Sequence, residues 1–133
     1  MKSLFSILKL SFTSYLLIFN FQLAQAQIVL NASPGSLSFD QYVGQSQTRY
    51  SNIYINVYDE GSVNLNVNSS CGSDYRVGSS CSGMYWNMGS CNIRVEFSPK
   101  TPGTSSCYVR VNGFPSGYTD VYVTGRSTKK QNP

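Results

Sequence analysis

The chain has 133 residues, a formal net charge of +4 and no histidine. That length fits one domain, and the missing imidazole excludes Ser-His-Asp and Cys-His nucleophile systems and the commonest metal ligand. Its basic residues are scattered apart from Lys129 and Lys130, so no nucleic-acid footprint is present.

Residues 1–26 read as a signal peptide. Lys2 and Lys9 make a basic start, Leu10 to Leu23 is mostly apolar, and Ala24-Gln25-Ala26 has the small-x-small form of a cleavage site. Cleavage after Ala26 would leave Gln27 as the N-terminus and lower the formal charge by two. Retention as a membrane anchor is the alternative. It is disfavoured because Lys9, Ser11, Thr13, Ser14, Asn20 and Gln22 interrupt a run that needs about 20 mainly apolar residues to span a bilayer. The expectation is therefore a secreted protein, extracellular or periplasmic, without stable membrane insertion after cleavage.

From residue 35 onward the chain alternates with period two. Leu37 and Phe39 open the pattern. Ile53, Ile55 and Val57 follow, then Val63, Leu65 and Val67, then a shorter piece at Tyr75 and Val77. Cys91, Ile93, Val95 and Phe97 form the next row, followed by Cys107, Val109 and Val111, and finally Val121 and Val123. Strict alternation means one buried and one wet face. The separators "SPGS", "DEGS", "CGSD", "SPKTPGTSS" and "NGFPSG" are turn chemistry. About seven short strands so spaced predict an antiparallel β-sandwich spanning residues 27–125, with 126–133 as a flexible tail.

Cys71, Cys81, Cys91 and Cys107 lie beyond the signal segment. An even count in an exported chain predicts two disulfides, with three pairings open. The spacing lacks the close Cys-x-x-Cys pairs that zinc sites favour, so neither a metal nor another cofactor is expected. The acids are Asp40, Asp59, Glu60, Asp74, Glu96 and Asp120. They sit in or near turns or on a wet strand face, which reads as solvated charge rather than a catalytic pair. Asp59 and Glu60 are too sparse for a calcium site. No catalytic residues are assigned and no enzyme is expected.

The stretch "CNIRVEFSPKTPGTSSCYVRV", residues 91–111, resembles the Cys-x-hydrophobic-x-Val-x-Phe-x-Pro-x-x-x-Gly pattern of immunoglobulin-like ASH (abnormal-spindle and hydin) domains and of their secreted bacterial choice-of-anchor relatives. "SPGSLSFDQYVGQSQT", "DEGSVNLNV" and "VYVTG" resemble the family's opening, Leu-centred and closing strands, so the likeness runs from Ser33 to Gly125. It implies an immunoglobulin-like sandwich, with "FSPKTPG" as scaffold. Pro99 should end a strand, and Pro102-Gly103 should make a turn. It also implies a Cys81–Cys91 bridge, and with it Cys71–Cys107. The family's Asn-x-Gly after the second strand is absent, and the loop "SGMYWNMGS" is unusually aromatic.

The remaining candidates are surface residues. Tyr54, Tyr108 and Tyr122 fall on the polar phase of their strands, as do Arg94 and Arg110, with Tyr50, Tyr58, Tyr118 and Arg49 on or near them. They could form a Tyr/Arg binding face, although tyrosine is also simply a good strand former. Trp86 in "MYWNM" is expected to plug one end of the sandwich, where ASH relatives carry a leucine; the alternative is an exposed anchor. Asn31 and Asn68 sit in Asn-x-Ser sequons, which matter only in a eukaryotic secretory route. The function expected is a non-enzymatic module for protein binding, adhesion or envelope structure, whose partner is a protein or a surface polymer. The alternatives are a small inhibitor or effector acting through the Trp86 loop, and a carbohydrate-binding module.

Overall fold

Alternation in the sequence becomes strands in a computed structural model, which describes residues 27–58 and 61–131. The expected signal peptide lies outside the described residues. Nine strands are present among them: β1 (Ile28–Ser33), β2 (Ser36–Tyr42), β3 (Gln47–Val57), β4 (Ser62–Ser69), β5 (Tyr75–Ser79), β6 (Gly83–Trp86), β7 (Met88–Phe97), β8 (Gly103–Phe114) and β9 (Tyr118–Thr128). They form a four-stranded sheet, β1-β3-β7-β5, and a five-stranded sheet, β2-β9-β8-β4-β6. Pairing is antiparallel throughout except for β2 beside β9, which is parallel.

Each apolar row points between the sheets. Ile53, Ile55, Ile93, Val95 and Phe97 come from the four-stranded sheet; Leu37, Phe39, Val63, Leu65, Val109, Val111, Val121 and Val123 come from the five-stranded one. All are buried, and each such side chain stabilises the fold by roughly 1.5–3 kcal/mol relative to exposure. Both disulfides form, Cys71–Cys107 and Cys81–Cys91. The first ties the end of β4 to β8. The second pins the segment before β6 to β7, with Cys81 itself buried.

Two strands exceed the sequence expectation. The first is β1, where Ile28, Leu30 and Ala32 turn inward. The chain leaves the four-stranded sheet at Ser33-Pro34-Gly35 and enters the five-stranded one as β2. Buried Ser51 fastens this crossing by donating its hydroxyl to the Pro34 carbonyl at 2.6 Å. The second is β6, from the segment expected to be a loop. It pairs with β4 along Ser62–Leu65, and Asn87, at φ 71°, then carries the chain into β7 in the opposite sheet. A further correction concerns the C-terminus. The last strand does not end at Gly125, because Arg126 and Ser127 continue between β2 and β8 and Thr128 still pairs with β2. Ser127 is buried there and donates to the Thr101 carbonyl at 2.5 Å.

The "FSPKTPG" element behaves as scaffold. β7 ends at Phe97, Pro99 is fully buried, and its carbonyl accepts from the Gly44 amide at 3.0 Å. Gly103 takes φ 143°, a backbone conformation that side-chain-bearing residues rarely adopt. At this end of the sandwich Tyr75 stacks on Phe97 with ring centroids 4.9 Å apart, and Phe39 sits 5.6 Å from Phe97.

Candidate functional site

The sandwich offers two outer faces, and the candidate residues divide between them. On the four-stranded sheet, Tyr54 lies outward on β3 beside Asn31, and Arg94 lies outward on β7 opposite Tyr50. On the five-stranded sheet, Tyr108 and Arg110 of β8 face Tyr122 and Asp120 of β9. A single Tyr/Arg face is therefore corrected to two opposed ones. Alternation tells outward from inward within a strand, but not which sheet the strand joins.

The face of the five-stranded sheet is the richer. Tyr108 and Tyr122 stand directly opposite each other across β8 and β9, and Tyr118 lies four residues back along β9 opposite Asn112. One row further, Phe114 of β8, Asn64 of β4 and Met84 of β6 line up, with Trp86 beyond them beside Ser62. Exposure is 60% for Tyr122, 61% for Tyr118, 76% for Phe114 and 64% for Trp86. Trp86 is thus corrected from plug to exposed residue. Its position on the edge strand β6 points it away from the core, while Tyr85 takes the inward place and packs against the core. Met88, 78% exposed, begins β7 on the other side of Asn87.

At the centre of this face is an ion pair. Arg110 donates from Nε to Oδ1 of Asp120 at 2.7 Å and from Nη2 to Oδ2 at 2.9 Å. Its guanidinium carbon lies 4.5 Å from the Tyr118 ring centroid and 5.6 Å from that of Tyr108. The hydrogen bonds from Arg110 hold the Asp120 carboxyl below the usual carboxylate range, against an opposing push from desolvation. They raise the Arg110 guanidinium in turn. Asp120 is therefore not a solvated turn charge, as its sequence position had suggested. The fork-to-fork geometry fixes the guanidinium plane between two tyrosine rings.

The pairing of β4 with β8 adds a ladder of asparagines. Asn64 lies opposite Phe114, Asn66 opposite Asn112, and Asn68 opposite Arg110. Asn64, Asn66 and Asn68 are all exposed. The sequence carried this signal as "VNLNVN", read there only as the wet phase of a strand.

Asp59 and Glu60 lie outside the described residues. Among those described, no three His, Cys, Asp or Glu side chains gather where a metal ion would sit, and no helix is long and apolar enough to cross a membrane. Asn31 and Asn68 are exposed strand residues.

Comparison with known proteins bears on the fold. No family model matches the chain, and no curated protein matches it either. Among solved structures it is similar to the ASH/PapD-like domain 7 of human CEP192, with a TM-score of 0.61 and 13% identity over 77% of this chain and 87% of that one. It is also similar to SSP-19, an MSP-domain protein like family member of Caenorhabditis elegans, with a TM-score of 0.52 and 13% identity over 72% and 98% of the two chains. Part of the surface layer protein SbsC matches with a TM-score of 0.52 and 15% identity, over 80% of this chain but only 14% of that one. The immunoglobulin-like ASH fold implied by residues 91–111 is thus the fold of this chain.

Proposed function

We propose that this protein is an exported, non-catalytic binding module that works through the outer face of its five-stranded sheet. The observation that carries the proposal is the gathering of Tyr108, Tyr118, Tyr122, Phe114, Met84 and Trp86 on one face, all exposed and all held by paired strands. Rigid aromatic side chains on strands bind with little loss of conformational entropy. The opposite face is sparser, with Tyr50, Tyr54 and Arg94 among asparagines.

Export is supported by the signal-like residues 1–26 and by the two disulfides, which persist in oxidising compartments. The absence of histidine and the pairing of Asp120 with Arg110 favour binding over catalysis. The resemblance of residues 91–111 to the secreted choice-of-anchor relatives of ASH domains fits this compartment. The Trp86 segment, an inhibitory loop in the alternative reading, is the edge strand of the same face and joins the same surface.

The test is retention by the native envelope or extracellular matrix. Tyr108→Ser/Tyr122→Ser should lose retention and Tyr50→Ser/Tyr54→Ser should keep it, with both variants melting like the wild type. Equal retention by the two variants would refute the assignment of the face.

A further inference from the structure

The outer face of the five-stranded sheet is chemically more specific than an exposed aromatic patch. Tyr108, the Arg110 guanidinium and Tyr118 form a continuous strip, because the guanidinium lies between the two rings at 5.6 Å and 4.5 Å from their centroids. Asp120 grips that guanidinium with two hydrogen bonds, which fixes its plane and cancels its charge. No other charged residue stands on the outward rows from Tyr122 and Tyr108 to Met84 and Trp86. This stretch of the face is therefore aromatic and electrically neutral, and the exposed Arg126 and Asp40 lie beyond it, where β9 meets β2.

Alongside the strip runs the β4 ladder of Asn64, Asn66 and Asn68. Each carboxamide offers two donors and an acceptor without charge. An acidic polymer would need an unpaired cation here, and a nucleic acid would need several. A protein partner draws its specificity largely from complementary charges, which the stretch from Tyr122 to Trp86 does not present. A ligand matched to both rows has flat apolar faces for the rings and hydroxyl-bearing edges for the amides. From strand spacing and rise, the distance between Tyr122 and Trp86 is roughly 30 Å, which suits a chain rather than a single ring.

We propose that this face binds a neutral polysaccharide, laid across β9, β8 and β4 with sugar rings stacked on Tyr108, Arg110 and Tyr118. The proposal rests on the reading of this face as the binding surface and adds the ligand class. The ion pair acts as a positioning device that holds the guanidinium in the strip, while the asparagines read hydroxyls. Trp86 and Phe114 extend the platform towards the β6 edge.

Affinity electrophoresis of the disulfide-intact protein in native gels tests it, with hydroxyethylcellulose, galactomannan and polygalacturonate as probes and a glycan array as the wider screen. Retardation by a neutral glycan is expected, and it should persist in about 0.5 M salt, where exposed charge interactions are screened. Tyr108→Ser/Tyr118→Ser should weaken that binding by roughly tenfold or more. Tyr50→Ser/Tyr54→Ser on the opposite face should leave it unchanged, and both variants should melt like the wild type. Failure of every neutral glycan to bind, binding of polygalacturonate alone, or unchanged binding by the Tyr108/Tyr118 variant would overturn the proposal. If no glycan binds while Tyr108→Ser/Tyr122→Ser still loses envelope retention, the glycan inference falls and the assignment of the face survives.

Discussion

Replacing Gly125 by alanine probes the tightest aromatic contact in the sandwich. Gly125 is buried in β9, and a methyl group there would fall against the Tyr75 hydroxyl and 2.9 Å from two carbons of the Phe97 ring. Phe97 is fully buried, and Tyr75 is tied in place. Tyr75 is stacked on Phe97, Phe97 packs on Phe39, and the Tyr75 hydroxyl is hydrogen-bonded to Ser105 at 2.6 Å. Overpacking of this kind costs about 1–3 kcal/mol, and losing the Tyr75–Ser105 bond adds about 1 kcal/mol. The reduced freedom of alanine in the unfolded chain returns about 0.4–1 kcal/mol. The net destabilisation should be about 2 kcal/mol, or about 10 °C in melting temperature for a domain of this size. Thermal and urea unfolding followed by circular dichroism would measure it. The mechanism also predicts coupling: in a Tyr75→Phe background the hydroxyl is gone and Gly125→Ala should cost less. An unchanged or raised melting temperature, or an equal cost in both backgrounds, would refute the packing argument.

Three further outcomes follow from the structure. Removing the Cys71–Cys107 bridge, whose ends are 36 positions apart in sequence, should cost about 4 kcal/mol by loop closure, and removing Cys81–Cys91, 10 positions apart, about 3 kcal/mol before any loss of packing; denaturant unfolding of the paired Cys→Ser variants checks both figures. Asp120 has a depressed folded pKa, so its contribution to stability is present above the unfolded value of about 3.9 and is lost as pH falls through the folded value. Asp120→Asn should therefore flatten that part of the acid limb of the stability–pH curve, and an unaltered acid limb would contradict the pairing. Trp86, the one tryptophan and 64% exposed, should emit near the wavelength of free indole in water and be quenched readily by iodide; a blue-shifted, protected emission would restore the plug.

Much of this fold was legible because its signals are local. Period-two rows at Ile53–Val57, Val63–Val67, Cys91–Phe97 and Cys107–Val111 became β3, β4, β7 and β8, and the Phe-x-Pro…Gly element marked a strand end and a turn. What escaped depends on partners distant in sequence. β6 is four residues of glycine, methionine, tyrosine and tryptophan, and it becomes a strand because β4 offers it an edge. Arg126 to Thr128 looked like tail because nothing local shows that β2 lies parallel beside them.

The candidate site was half legible for the same reason. Tyr54 and Arg94 resemble Tyr108 and Arg110 in pattern, and only sheet order places them on opposite faces. The Arg110–Asp120 pair needed the β8–β9 register, which brings residues 110 and 120 face to face. The asparagine ladder was visible as composition, but its place beside the aromatic strip required the register of β4 against β8.

Site-specific photo-crosslinking in the native extracellular setting tests the central claim most directly. A photoreactive residue at Tyr108 or Tyr118 should capture a discrete partner, polymer or protein, while the same residue at Tyr50 or Tyr54 should capture none. Capture from the four-stranded face alone would contradict the account.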